Sequence, residues 1–155
     1  MKYVIDTSAL IDWWVRFYPP ESFPTLVTHM EALIGACDLR SSRAVLDELE
    51  RQDDDLARWA KAQQVFFIED GDEVQDQVGY LVNKYFNHDK PEKGINGADP
   101  FVIGLALIAD VPPLTVVSGE NPGSRENPKI PWVCKEEDVP HINFLGLIKA
   151  EGWKL

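Results

Sequence analysis

The sequence predicts an α/β protein, a three-layer α/β/α sandwich around a mostly parallel central sheet. Three observations carry this prediction. Short apolar, β-branched runs alternate with longer segments of helical periodicity. Their order is strand, helices, strand, helices, strand, helix, strand, helix, which favours parallel strands joined by helical crossovers. The 155 residues contain no repeat, linker or low-complexity tract, so the expectation is one domain over residues 1–155.

Lys2 to Ile5 reads as a short buried strand. Ser8 to Phe17 reads as a helix with Leu10, Ile11, Trp14 and Val15 on one stripe, stopped by Pro19-Pro20. A second helix is expected from Ser22 to Ala36, with Pro24 in its first turn. A short strand follows around Leu39. Ser41 or Ser42 can then cap a helix bearing Val45, Leu46 and Leu49. The run Asp53-Asp54-Asp55 opens a further helix to about Gln63, because carboxylates favour the partially positive helix start. Val65 to Ile68 has strand composition, and Asp72 to Phe86 carries a helical stripe of Val74, Val78, Leu81, Val82 and Tyr85. After a polar loop from Asn87 to Gly97, Pro100 to Ala109 is a strongly apolar, central helix. Leu114 to Val117 reads as a buried strand, and Gly119 to Pro131, with three prolines and two glycines, as a loop. Val133, and later His141-Ile142, read as short strands, and Asn143 to Ala150 as the last helix.

Composition excludes several classes. Hydrophobic residues are 45% and charged residues 26%, values of an ordinary globular chain. The 26 acidic and 15 basic residues give a formal charge of −11, which counts against a broad basic face gripping nucleic acid. Cys37 and Cys134 are far apart and have no metal-ligand spacing, so two reduced thiols are expected. Asp6 interrupts the first apolar run, and no apolar stretch approaches the roughly 20 residues of a membrane helix. The expectation is a cytoplasmic protein without a membrane segment. His29, His88 and His141 lack ligand spacing, and there is no glycine-rich phosphate loop.

Open parallel sheets place their sites at the carboxyl ends of the strands. Asp6 directly follows the first strand, Glu120 follows the strand ending at Val117, Asp99 opens the central helix, and Glu48 lies in the helix after the second strand. Each has a purely structural reading. Asp6 can cap the first helix, and Asp99 can be an N-cap with Pro100 at the first helical position. Glu48 belongs to the acidic run Asp47-Glu48-Leu49-Glu50, and periodicity does not choose between Glu48 and Glu50 as the inward acid. The set matters more than its members. Carboxylates brought within a few ångströms repel unless cations enter or some take up protons. Hard divalent cations with oxygen ligands are the natural counter-charge.

Val4-Ile5-Asp6-Thr7-Ser8-Ala9-Leu10 resembles the opening strand and turn of the PIN-domain nucleases. Ala98-Asp99-Pro100-Phe101-Val102-Ile103-Gly104-Leu105-Ala106 resembles their third acidic motif. Val45-Leu46-Asp47-Glu48-Leu49 resembles the second, and Thr115-Val116-Val117-Ser118-Gly119-Glu120 the strand and loop that bear the fourth. The resemblance spans nearly the whole chain and implies a PIN-like fold. It also implies an endoribonuclease dependent on one or two Mg²⁺ or Mn²⁺ ions, and in particular a toxin of the VapC type from a type II toxin–antitoxin pair. On that resemblance Asp6, Glu48, Asp99 and Glu120 are the metal and catalytic acids, with Glu48 acting directly or through water, and Ser8 supports them. RNA would be cut to 5′-phosphate and 3′-hydroxyl ends, a protein antitoxin would be the partner, and a homodimer is frequent in the family.

Two departures mark a divergent branch: the fourth acid is Glu rather than the usual Asp, and the stretch from Gly119 to His141 is long and proline-rich. An acidic site also suits a basic antitoxin segment. Arg43, Arg51, Lys93, Arg125 and Lys129 can form a basic rim, although each reads first as an ordinary surface charge. Trp13-Trp14 puts at least one indole off the core stripe. The alternative function is a PIN-fold protein with weakened catalysis that serves as an interaction scaffold. A haloacid-dehalogenase-type phosphatase needs a second Asp at position 8, where Ser8 stands, and a receiver domain needs an acidic pair beside the first strand.

Overall fold

In a computed structural model, residues 1–52, 54–109 and 113–155 are described. The first strand is β1 (Tyr3–Ile5), three consecutive buried residues with no polar alternation, as expected of a strand covered on both faces. The remaining strands are β2 (Leu39–Ser42), β3 (Phe67–Ile68), β4 (Thr115–Val117) and β5 (His141–Ile142). They form one sheet in the order β3-β2-β1-β4-β5, and every neighbouring pair is parallel. The register sets Ile5 beside Val117 and Val117 beside Ile142, so β1, β4 and β5 end together.

Eight α-helices flank the sheet among the described residues. They are α1 (Thr7–Ile11), α2 (Pro24–Gly35), α3 (Arg43–Gln52), α4 (Asp55–Ala62), α5 (Asp72–Lys84), α6 (Asp99–Ala109), α7 (Ile130–Glu136) and α8 (Phe144–Ala150). Strand order steps outward from β1 through β2 to β3, then returns across to β4 and β5. Right-handed crossovers therefore put α1 to α4 on one face and α5 to α7 on the other. The result is the predicted α/β/α sandwich with a parallel sheet. No helix is long and apolar enough to cross a membrane among the described residues.

The reversal of strand order falls between β1 and β4, which is where doubly wound sheets open a crevice at their carboxyl ends. The backbone N–H of Asp6 donates to the carbonyl of Val117 at 2.9 Å, closing the two strand ends together. Helix α6 packs across β1, β2 and β4, with Val102, Ile103 and Ala106 fully buried. Its apolar run thus serves as the central helix that its composition predicts.

Several expectations need correction. The first helix does not continue as α from Ser8 to Phe17: after Ile11 the chain is π-helical over Asp12–Phe17, with the Tyr18 N–H reaching the Trp13 carbonyl at 3.0 Å. A π turn rotates each residue through a smaller angle than an α turn, so the stripe extrapolated from Leu10 loses phase. Trp13 is fully buried, while Trp14 is half-buried and Val15 is exposed. Val133 is not a strand but lies inside α7, whose first turn takes in Pro131. Proline reads as a loop residue in sequence, yet it is well suited to a helix start because its missing N–H has no partner there. The second helix starts at Pro24 rather than Ser22, the helix after β3 ends at Lys84, and β3 itself covers only Phe67–Ile68. Of the two candidate caps, Ser42 accepts from the Ala44 N–H at 3.1 Å, whereas Ser41 donates to the Ile5 carbonyl at 2.6 Å. Asp54 caps α4 through the Ala57 N–H; Asp53 lies outside the described residues.

Trp13 organises the face formed by α1, α4 and α8. Its ring meets Trp59 edge-on at 4.8 Å and Trp14 edge-on at 5.2 Å, and stacks on Phe144 at 5.9 Å. Trp13→Ala is expected to remove about 3–5 kcal/mol of stability, the range for a buried aromatic truncated to alanine. Urea denaturation of the variant checks this; a loss below about 1 kcal/mol would show that the cluster is not a structural centre.

Candidate metal centre

Asp6 leaves β1 and caps α1, its Oδ2 accepting from the Ser8 hydroxyl at 2.6 Å and the Ser8 N–H at 3.3 Å. This is the structural reading of Asp6, and it orients the carboxylate at the strand end without using up both oxygens. Glu120 follows β4 after Ser118 and Gly119. Ser118 is buried and accepts from the Glu120 N–H, and the Gly119 N–H donates to the Ser8 hydroxyl oxygen at 2.9 Å. Ser8 and Ser118 lie 3.2 Å apart, oxygen to oxygen. Ser8 therefore couples the β1 turn to the β4 loop.

Asp99 is the first residue of α6 and Pro100 the second. The expected cap-and-proline arrangement is thus displaced by one position, because the Phe101 and Val102 N–H groups bond back to the Ala98 carbonyl. The side chain of Asp99 is thereby directed to the crevice. Asp6, Asp99 and Glu120 each present an oxygen within 4.8 Å of the others.

Glu48 stands apart from that group. Its Oε2 accepts from the Thr7 hydroxyl and its Oε1 from the Ala98 N–H, both at 2.9 Å. It bridges the residue after Asp6 to the residue before Asp99. Gly97 has φ +60°, and a Cβ there would come within 3.1 Å of Glu48 Oε1, so the glycine lets this loop approach the carboxylate. Glu50 points elsewhere, pairing with Lys61 at 3.8 Å. The inward acid of α3 is Glu48.

Electrostatics follow from burial. Asp6 is pushed up from an ordinary 3.8 to about 6, chiefly by desolvation, against the Ser8 hydroxyl bond that lowers it and with Glu120 raising it further. Asp99 is pushed up to about 9, first by desolvation and then by the charges of Asp6, Glu120 and Glu48. Its hydrogen bond to the Glu120 carboxyl acts in the same direction. The helix start favours an anion at Asp99, but only by about 0.3–1 kcal/mol at most exposed sites, so desolvation and repulsion win. The Cys134 thiol, buried beneath the centre, is pushed up to about 12 by desolvation and then by Asp6 and Glu120.

The three clustered carboxyl groups of Asp6, Asp99 and Glu120 form an all-oxygen donor set. Such a set suits Mg²⁺ or Mn²⁺. Ser118, Thr7 and the Gly97-Ala98 turn are parts of the arrangement that sequence reasoning passed over. Only Thr7, beside Asp6, carried a positional signal. Gly119 is a second omission: a Cβ at that position would overlap the Asp12 carboxylate and approach the Ser8 carbonyl at 3.2 Å. Asp12 is itself buried in the π segment and paired with Arg16.

The raised carboxyls fix a pH dependence. Above the ordinary value of 3.8 the folded chain holds protons that the unfolded chain has released, at Asp6 up to about 6 and at Asp99 up to about 9. Metal-free stability contributed by these groups therefore falls as pH rises through that window. In EDTA the melting temperature is expected to fall from pH 5 to pH 9, and Asp99→Asn to flatten most of the upper half of that slope. A wild-type profile parallel to that of Asp99→Asn would refute the crowding of these carboxylates.

No curated protein matches this chain. The family described as "Domain of unknown function (DUF4411)" matches residues 3–155, from the start of β1 to the last residue. The chain belongs to the DUF4411 family.

Proposed function

We propose that this protein is a divalent-metal-dependent endoribonuclease of the PIN type, acting as the toxin of a type II toxin–antitoxin pair. The observation that carries the proposal is the convergence of Asp6, Asp99 and Glu120 at the switch point of a parallel sheet. The four sequence motifs that resemble PIN nucleases supply these same residues. Asp6, Asp99 and Glu120 hold Mg²⁺ or Mn²⁺, which supplies Lewis-acid stabilisation of a phosphodiester under attack by water.

The chain's own groups set up that chemistry. Ser8 fixes the Asp6 carboxylate by its 2.6 Å hydrogen bond. Glu48 locks the α6 start against α1 and so positions Asp99. Each of its oxygens accepts one protein hydrogen bond, so it supports the centre through the two segments it joins. Glu120 also accepts from the Ile130 N–H at 3.1 Å, which ties the fourth acid to the start of α7. The formal charge of −11 opposes RNA binding outside the centre and suits a basic segment of an antitoxin. A scaffold with weakened catalysis is the second reading. It is favoured by the engagement of Glu48 and Glu120 in bonds within the fold.

Total cellular RNA from a bacterial host, incubated with Mn²⁺, is expected to acquire discrete new 5′-phosphate ends. Asp6→Asn or Asp99→Asn should reduce cleavage at least about 100-fold with the fold retained, in line with loss of a charge-stabilising group. Mn²⁺ should also raise the wild-type melting temperature and leave that of Asp6→Asn unchanged, since a ligand specific to the folded state stabilises it. Unaltered cleavage in either variant overturns the assignment. Absence of both cleavage and Mn²⁺ stabilisation turns the reading to the scaffold.

A further inference from the structure

Beside the metal centre lies a cleft of about 290 Å³. It is lined by Asp47, Glu48 and Arg51 of α3, by Asp70 after β3, and by Ala98 and Phe101 at the start of α6. The α3 residues recur at positions 47, 48 and 51, a helical face distinct from the buried stripe of Val45, Leu46 and Leu49. The cleft adjoins the centre, because Ala98, which lines it and bonds to Glu48, immediately precedes Asp99. Its contents are uneven. Phe101 supplies one half-buried aromatic ring. Arg51 is the one cation of the lining, and it makes no ion pair among the described residues. Asp70 is held in place by the Ser42 hydroxyl, which donates to its Oδ1 at 2.8 Å. Asp47 is exposed and paired with Arg43, and both oxygens of Glu48 accept from Thr7 and Ala98, which leaves Asp70 as the fixed acceptor.

A ring, a cation and a fixed carboxylate beside a phosphodiester-cleaving centre match the parts of a single-stranded nucleotide. Bases stack on aromatic rings, and phosphates pair with Arg. An ionised carboxylate only accepts hydrogen bonds, so it rejects a base edge that presents acceptors to it. Guanine alone offers two adjacent N–H donors on its Watson–Crick edge. Uracil offers one donor between two acceptors.

We propose that this cleft is a guanine-selecting subsite for the RNA strand. In it Phe101 stacks the base, Asp70 accepts from the Watson–Crick edge, and Arg51 neutralises a flanking phosphate. The proposal rests on the nuclease reading above and extends it to sequence preference.

The test is titration of the protein with 5′-GMP and with 5′-UMP in EDTA, followed by amide chemical shifts in NMR. GMP is expected to move the Ala98 and Phe101 amides and to bind about tenfold tighter than UMP, the scale of one good bidentate base contact. Arg51→Ala and Phe101→Leu should each weaken GMP binding several-fold, the leucine keeping the side-chain packing. Asp70→Asn retains an acceptor for Ser42 and should abolish the preference for GMP. Arg58→Ala, on α4 and paired with Asp55, should change nothing. Unmoved Ala98 and Phe101 amides, equal affinity for the two nucleotides, or a preference that survives Asp70→Asn would overturn the subsite. Metal-dependent RNA cleavage together with unmoved amides would remove the subsite and keep the nuclease. GMP binding without any cleavage would keep the guanine site and remove the nuclease.

Discussion

Mutual repulsion among buried carboxylates is the constraint to which the rest of this structure answers. Asp6, Asp99 and Glu120, the first buried and the other two partly so, present oxygens within 4.8 Å of one another at the carboxyl ends of the strands. Desolvation and like charge push Asp6 to about 6 and Asp99 to about 9, so the arrangement is costly without a cation. A fold that relaxed would let these groups apart. What prevents relaxation is the rigid register of three parallel strands ending together, with the Asp6 N–H on the Val117 carbonyl.

Around that centre the supporting contacts divide by task. Ser8, Ser118 and the Gly119 N–H stitch the β1 turn to the β4 loop through side-chain oxygens. Glu48 does the same between α1 and α6, and its two acceptor bonds meet a hydroxyl and a backbone N–H rather than a cation. Glu120 anchors the long proline-rich segment by receiving the first N–H of α7. Close backbone approach is required at two glycines, Gly97 against Glu48 and Gly119 against Asp12. A Cβ would be tight against the carboxylate at Gly97 and would overlap it at Gly119.

The remote faces serve the same end by rigidity. Helix α6 is buried across three strands, and its first residue is an acid of the centre. The π segment after α1 turns Trp13 into an aromatic cluster with Trp59 and Phe144, and brings Asp12 beneath Gly119. The Trp13 indole N–H is buried without a hydrogen-bond partner, a cost of about 1–3 kcal/mol that the stacked rings offset.

The sequence by itself determined the fold class, the parallel sheet and the strand-end positions of Asp6 and Glu120. These follow from local periodicity and from the order of elements, both of which are written along the chain. It also put Asp99 at the head of a buried helix, since an acid followed by a long apolar run has few other places to sit. Tertiary structure decided what periodicity leaves open. Glu48 rather than Glu50 turns inward because the Ala98 N–H and the Thr7 hydroxyl, distant in sequence, are there to receive it. Trp13 rather than Trp14 enters the core because a π turn shifts the phase of the helix. Val133 joins a helix because Glu120, ten residues before Ile130, receives the first N–H of that helix. Gly119 is confined to glycine by a carboxylate on another element. Each of these outcomes depends on a partner brought near only by folding, and a one-dimensional pattern carries no record of such partners.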